Sequence, residues 1–484
     1  MRVALYSTVA ILAAFSPLQA RAADISEAGA REITERLTYY LPKSIVDTGF
    51  LKVTAGTQRY ELSVNFEPLL KDLNKQEFSI TGLKPFVQYL TPQEDGLWKL
   101  EASDNLKVSG FFTAEGKKSN FAYSIDKFTY DGIFDPALSF MRSGNTSVEK
   151  TKVSTESGPV KVDASIDSYT SDMRAENIDR GVADFVSNVS ARGFVETISD
   201  PTAGMTTISA ASMDGRAQAD KIGIAALRDL IVFALDKIKT GDKTMTAQDD
   251  AKLKALIKAN VPFVENLIED FHFRDVKVAS QGMEIALADV GYKVEFNGIK
   301  ADTRVGFEFS VNDPKVPAGL LPPGMDAALP KFASMGVAIT GLNVEGVIAY
   351  MLEHADFTKS EPLTPQQSDE IGKIILSDGK MHIQFNNVTA KSDVYDLTLG
   401  GSMLVDPNNS DKPNVDITIT ARDLDKTVNF LQANANTVPQ FGQASFMVLM
   451  MKGFGKQEAD GRMTWNVKVD QTGKVIINGR EMPK

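Results

Sequence analysis

A segment that occurs twice in the second half of the chain constrains its fold more than any other feature. Residues 338–355 read AITGLNVEGVIAYMLEHA, and residues 418–435, eighty positions later, read TITARDLDKTVNFLQANA. Each copy predicts a strand end, a tight turn and a short helix. Asn343 and Asp423 occupy the N-cap position, where a side-chain oxygen can accept hydrogen bonds from first-turn N–H groups. Each unit is too small to bury its apolar side alone, so we expect the copies to share a core with neighbouring strands.

A weaker third copy is indicated upstream. Residues 80–83 repeat residues 339–342 letter for letter, and residues 86–90 supply an apolar tail after the turn. If the repeat is structural, matched residues should occupy equivalent buried positions. The two pairs for which we expect this are Ile339 with Ile419 and Ile348 with Val428.

Strand patterns dominate the first half. Between residues 50 and 198, segments in which apolar and polar residues alternate are separated by turn-forming residues. The predicted turns are Asp104-Asn105, Glu115-Gly116, Asp131-Gly132 and Ser157-Gly158-Pro159. Such links are too short for crossover helices, so the strands are expected to form an antiparallel meander.

Helical spacing of apolar residues returns in the middle of the chain, over residues 222–238 and again after Thr246. Asp249 follows Thr246 by three residues, as in a capping box. The fold class predicted is α+β and β-rich, with long antiparallel sheets, short capped helices, a central helical hairpin and an internal repeat. The predicted segments are a signal peptide over 1–22, an N-terminal β-rich domain over 23–220, a helical connector over 221–270 and a C-terminal β-rich repeat domain over 271–484.

The C-terminal repeat extends beyond the strand–helix unit. The strand FHFRDVKVAS, which starts at Phe271, is matched by FNNVTAKS over 385–392, with Asn387 in the place of Asp275. Thr364, Pro365 and Gln367 predict a capped helix start.

The N-terminus has the pattern of an export signal. Arg2 precedes an apolar stretch over 3–15, and Ala20-Arg21-Ala22 is a small-x-small cleavage site, so we predict cleavage after Ala22. The chain holds no cysteine, whereas exported eukaryotic proteins of this size usually carry disulfides. A soluble mature protein in the bacterial periplasm is therefore expected, and no later segment has the ~18 uninterrupted apolar residues of a transmembrane span.

The charge of the chain bears on its partners. Its net charge is −11, and the first 22 residues hold two arginines and no acids, so removing them leaves −13. Nucleic acid and anionic membrane surfaces are therefore disfavoured as electrostatic partners.

The sequence contains few motifs that are typical of catalytic or metal-binding sites. The three histidines, His272, His354 and His382, lack metal-ligand spacing, and the catalytic and phosphate-binding motifs that we sought do not occur. We predict no cofactor and no metal site, and we expect a protein that is not an enzyme.

Residues 441–454, FGQASFMVLMMKGF, are the most unusual stretch. Phe446, Met447, Met450 and Met451 cluster on a predicted short helix, which Gly453-Phe454-Gly455 ends. One interpretation is a core helix under the last sheet. The other is a contact for an acyl chain or an apolar partner, since methionine recurs at adaptable apolar binding surfaces.

Two parts of this pattern resemble known families. The strand, turn and capped helix resemble the repeat of AsmA-like bacterial envelope proteins, and WNVKVDQTGKVIING over 465–479 resembles the closing hairpin of the exported YdgA-like family. The likeness covers about 271–479 and faintly 78–90, and this chain lacks the membrane anchor of the AsmA pattern. The resemblance implies a long antiparallel sheet, an envelope location and no known catalytic residues. The function expected is binding or scaffolding in contact with lipids or other envelope proteins; the alternative is a periplasmic enzyme with a dispersed acidic site.

Overall fold

The computed structural model describes residues 25–41, 43–71, 73–240, 244–317, 319–410 and 412–482, with the backbone alone at Ile238 and Thr240. The predicted signal peptide lies outside the described residues. The chain divides into two compact units. The first holds the described residues up to Asn266 together with Ala355–Pro362, and the second holds Leu267–His354 and the chain from Leu363 onward.

The first unit is a long antiparallel sheet with helices at both ends of its sequence. Its helices are α1 (Glu27–Thr38), α2 (Lys43–Val46), a 3-10 turn (Glu67–Leu70), α3 (Ile224–Thr240) and α4 (Ala247–Asn260). Its strands are β1 (Leu51–Ala55), β2 (Tyr60–Val64), β3 (Phe78–Thr81), β4 (Phe86–Pro92), β5 (Trp98–Ala114), β6 (Lys117–Asp135), β7 (Phe140–Ser157), β8 (Val160–Asp179), β9 (Val182–Asp200) and β10 (Gly204–Gly223).

The strands of this unit pair in the predicted antiparallel manner. β1, β2, β4 and β5 are neighbours, β3 also pairs with β5, and β5 to β10 form a meander in chain order. The capping box at the start of α4 is confirmed, since the Thr246 hydroxyl accepts from the Asp249 N–H and the Asp249 carboxylate accepts from the Thr246 N–H.

Two of the predicted turns are wrong. Asp104-Asn105 lies inside β5 and Asp131-Gly132 inside β6, so strands expected to be short are 17 and 19 residues long. At the first site the pairing shifts by one residue between Asp104 and Leu106, so the turn-forming residues mark a β-bulge rather than a chain reversal. Glu115-Gly116 is confirmed as a turn, with φ of 53° and 74°.

The core of the first unit lies between α1 and the short strands. Ile33 and Leu37 lie on the inner side of α1 and are 2% and 6% exposed. They pack in one cluster with Tyr60, Leu90 and Trp98, whose ring stacks on Tyr60 with centroids 5.9 Å apart.

The second unit is a meander interrupted by two helical excursions. Its strands are β11 (Asn266–Ser280), β12 (Met283–Phe296), β13 (Thr303–Asn312), β14 (Phe332–Leu342), β15 (Met381–Lys391), β16 (Asp396–Val405), β17 (Asn414–Arg422), β18 (Lys456–Gln457), β19 (Met463–Val469), β20 (Val475–Ile477) and β21 (Arg480–Glu481). Its helices are α5 (Val344–His354), α6 (Pro365–Ile375), α7 (Leu424–Ala433) and α8 (Gln440–Phe454), with a 3-10 turn at Asp326–Ala328.

Neighbours in this sheet follow the chain order. β11 to β17 pair in sequence, β19 then pairs with β17, and β20 and β21 complete the closing hairpin. All these pairs are antiparallel, as predicted.

The two full copies of the repeat adopt the same secondary structure. β14 leads into α5, and β17 leads into α7. The matched residues Asp275 and Asn387 also share a left-handed backbone, with φ of 51° and 52°. Of the residues expected to be buried, Val428 is 5% exposed, whereas Ile339, Ile419 and Ile348 are half-buried.

The third copy does not continue as a strand–helix unit. Residues 86–90 belong to β4, which pairs with β2 and β5. Lys84 stands where the full copies have an N-cap residue, and it cannot supply the accepting oxygen of a cap. The aromatic and β-branched residues that follow favour a strand.

Candidate apolar binding site

The second unit presents one continuous apolar side of its sheet. Residues paired across antiparallel strands point to the same side, so the register defines rows of side chains. One row runs from β12 to β20 and comprises Val294, Phe307, Val337, Phe385, Gly401, Ile417, Val467 and Ile477. The next row comprises Phe296, Val305, Ile339, Ile383, Met403, Val415, Val469 and Val475. We call this side the apolar face; Phe309, Met335 and Leu397 belong to it by the same register.

The opposite side of the same strands carries charged side chains. Glu295 accepts from Lys293 at 2.5 Å and from Arg304 at 2.6 Å, and Glu308 accepts from the Asn387 amide at 3.1 Å. Hydrogen bonds from Lys293 and then Arg304 lower the pKa of the Glu295 carboxyl, so it is ionised at neutral pH. The sheet thus has one ion-paired side and one apolar side.

Toward its β12 end, the apolar face is open to solvent. Phe307, Phe309 and Met335 are 46%, 40% and 53% exposed, and Val305 and Leu397 are 42% and 40% exposed. Single exposed apolar residues are ordinary, but a contiguous set on adjacent strands is typical of an interaction surface. The open part lies on β13, β14 and β16.

Helix α8 covers the other end of the face. Val448, Met451 and Phe454 pack in one cluster with Trp465 and Ile477. The Trp465 indole N–H donates to the Met451 carbonyl at 2.7 Å, which fixes the helix on β19. The apolar face therefore has a covered part beneath α8 and an open part on β13–β16.

The four residues predicted as an apolar contact divide between two environments. Met451 packs against the sheet, whereas Phe446, Met447 and Met450 point away from it and are 62%, 57% and 52% exposed. The predicted end of the helix is confirmed, since the Gly455 N–H donates to the carbonyls of Met451 and Lys452.

Sequence reasoning missed the open residues of the face. Phe307 and Phe309 alternate with Gly306 and Glu308 in VGFEFSV, and such alternation is typical of a strand with one apolar side. Nothing in a single strand shows whether that side is covered, because coverage depends on where distant helices lie.

A shallow depression lies on the first unit. It has a volume of ≈ 600 Å³, crosses β6–β10 and is lined mainly by Ser, Thr, Asn and Asp side chains. It does not coincide with the apolar face, because an open sheet surface encloses little volume. A polar outer side is ordinary for an antiparallel sheet and an uncovered apolar side is not, so the apolar face is the stronger candidate for a binding site.

The histidines each lie beside a carboxylate or a ring. His272 Nδ1 is 3.0 Å from Asp289, His382 Nε2 is 2.7 Å from Asp378, and the His354 ring lies 4.2 Å from Tyr350. Within the part of the chain that the structure describes, no group of three or more metal-ligating side chains is suitably placed to hold a metal ion.

Comparisons with known proteins identify no relative of this chain. No protein-family model, no curated protein and no solved structure matches this chain. The AsmA-like resemblance therefore stays a prediction. Among the described helices, none is both long enough and apolar enough to cross a membrane.

Proposed function

We propose that this chain is a periplasmic protein of the bacterial envelope that binds acyl chains on the apolar face of its second unit. The observation that carries the proposal is the open cluster of Phe307 and Phe309 on β13 and Met335 on the adjacent β14, each at least 40% exposed. The export pattern at Ala20-Arg21-Ala22 and the absence of cysteine from the sequence support the location.

An acyl chain suits this surface better than a polar ligand. The backbone N–H and C=O groups of β13–β15 are used in the strand ladder, and the side chains of the face are apolar, so the surface offers few hydrogen-bond partners. Five strands spaced by about 4.8 Å make the part from β12 to β16 roughly 19 Å wide. That width suits an extended hydrocarbon tail lying across the strands.

The expected affinity follows from the buried hydrocarbon. Ten methylenes removed from water at about 0.8 kcal/mol each contribute roughly 8 kcal/mol before ordering costs. A dissociation constant of about a micromolar or weaker is therefore expected. That affinity suits a carrier or transient binder.

Titration with a fluorescent fatty acid tests the proposal. The variant is Phe307→Asp, and the matched control is Phe112→Asp, since Phe112 is a strand phenylalanine of the first unit with 43% exposure. A carboxylate on the face must be desolvated by the bound chain, so Phe307→Asp should weaken probe binding by about tenfold or more. Phe112→Asp should bind like wild type. Absence of saturable binding by wild type, or equal losses in the two variants, contradicts the proposal.

A further inference from the structure

A second apolar surface lies on the outer side of α8. It comprises Phe446, Met447, Leu449 and Met450, which are 62%, 57%, 44% and 52% exposed, and we call it the outward patch. The opposite side of the helix is packed on the sheet through Val448, Met451 and Phe454. The outward patch is therefore separate from the apolar face proposed to hold the acyl chain.

The composition of α8 is that of a helix apolar on every side. Its one charged residue is Lys452, and the ammonium of Lys452 pairs with Asp425 of α7 at 2.5 Å. Helices apolar on every side are ordinarily buried. The sheet buries one side of α8, so the outward side is suited to an apolar environment supplied from outside the chain.

We propose that the outward patch docks the protein on a lipid surface without net charge. Side chains of this kind enter the boundary between headgroups and acyl chains, to a depth of roughly 5–10 Å. Docking helices for anionic membranes add lysines and arginines, whereas α8 has one paired lysine and the chain has a net charge of −11. The net negative charge is repelled by an anionic surface and not by a zwitterionic one, so the charges favour a zwitterionic surface.

A protein partner fits the patch less well. Protein interfaces surround an apolar centre with a polar rim and direct hydrogen bonds. The exposed polar side chains of α8 are Gln440 and Gln443, which both precede its exposed phenylalanine, leucine and methionines in sequence. A lipid surface requires no such matching.

Flotation with phosphatidylcholine vesicles tests the docking. The full chain should float with these vesicles, and adding phosphatidylglycerol should not increase the bound fraction. The double variant Phe446→Asp/Met450→Asp should lose flotation to background, because carboxylates are excluded from the acyl boundary. Met205→Asp, which changes a 63% exposed methionine of the first unit, should float like wild type.

Further measurements separate this proposal from the proposed function. The double variant should take up the fluorescent fatty acid from vesicle-free solution as wild type does, because the open part of the apolar face is unchanged. Phe446→Ser provides a milder variant, with partial loss of flotation expected, if the double variant does not fold. Failure of wild type to float on phosphatidylcholine, a requirement for phosphatidylglycerol, or flotation of the double variant overturns the proposal. So does light scattering that shows a wild-type dimer dissociated by the double variant, which assigns the patch to a second copy.

Discussion

Met450 and Met451 are neighbours in sequence with different surroundings. Met451 packs with Trp465 and Ile477, while Met450 is 52% exposed. Met451→Ala should therefore lower the free energy of unfolding by about 2 kcal/mol, because apolar contacts are lost and a cavity remains. Met450→Ala should change it by less than about 0.5 kcal/mol. Urea unfolding of both variants checks this, and equal losses would show that the helix is not packed as described.

The contribution of Asp249 to the stability of the fold should depend on pH, and its pKa fixes the direction of the change. Its carboxylate pairs with the Lys237 ammonium and also accepts from the Thr246 hydroxyl and N–H, which lowers its pKa from 3.8 to about 2. Because the folded-state pKa is depressed, the stabilisation is fully present above pH 3.8 and is lost as the pH falls through about 2.

The measurement is a comparison of wild type with Asp249→Asn. The difference between their unfolding free energies should shrink as acid is added from pH 5 toward pH 2. A carboxyl titration by NMR should place the Asp249 pKa near 2. A midpoint near 3.8, with a pH-independent difference, would contradict the geometry of this cap.

The two helix starts of the repeat show how local contacts decide a cap. Asn343 accepts from the Gly346 N–H at 2.9 Å, and a Cβ on Gly346 would clash with the amide of Asn343. In the second copy Lys426 stands in place of Gly346. There Asp423 has φ of 54°, and among the described residues no first-turn N–H donates to its side chain. The expected side-chain cap at Asp423 is therefore wrong, although Asp423 does occupy the N-cap position.

Two helix glycines, Gly372 and Gly346, should differ in how alanine changes the stability of the protein. Gly372→Ala in α6 meets open space, so it should stabilise the protein by up to about 1 kcal/mol through helix propensity. Gly346→Ala should give no gain, because its methyl group displaces Asn343 and a cap is worth about 1 kcal/mol. Denaturant unfolding compares the two variants. Equal stabilisation in both would mean that Asn343 does not need Gly346.

At the level of elements, local signals predicted much of the chain. The N-caps Thr246 and Thr364, with their matching acceptors, were readable because a cap is formed by residues three apart. Strand β10 was not predicted from the sequence, because its residues are mostly small and polar. Pairing with β9 supports its extended conformation. Strand propensity depends on such neighbours, which a local segment does not reveal.

At the level of the whole molecule, the fold class was predictable and the candidate site was not. Alternation along each strand and short links between strands predicted an antiparallel, β-rich chain. The apolar face arises from register across eight strands, and its open part depends on where α8 packs. Composition indicated Phe446 and Met450 as candidate contact residues. Their exposure could not be predicted, because it depends on Met451 packing against the sheet on the inward side of the helix.

The most direct test of the acyl-binding account is photo-crosslinking. A fatty acid with a diazirine at its methyl end would be bound to the full chain, irradiated, and mapped by mass spectrometry of peptides. The account predicts labels on peptides from β13 and β14, around Phe307, Phe309 and Met335, which an excess of unlabelled fatty acid abolishes. Labels confined to the first unit, or labelling that excess fatty acid does not reduce, would contradict it.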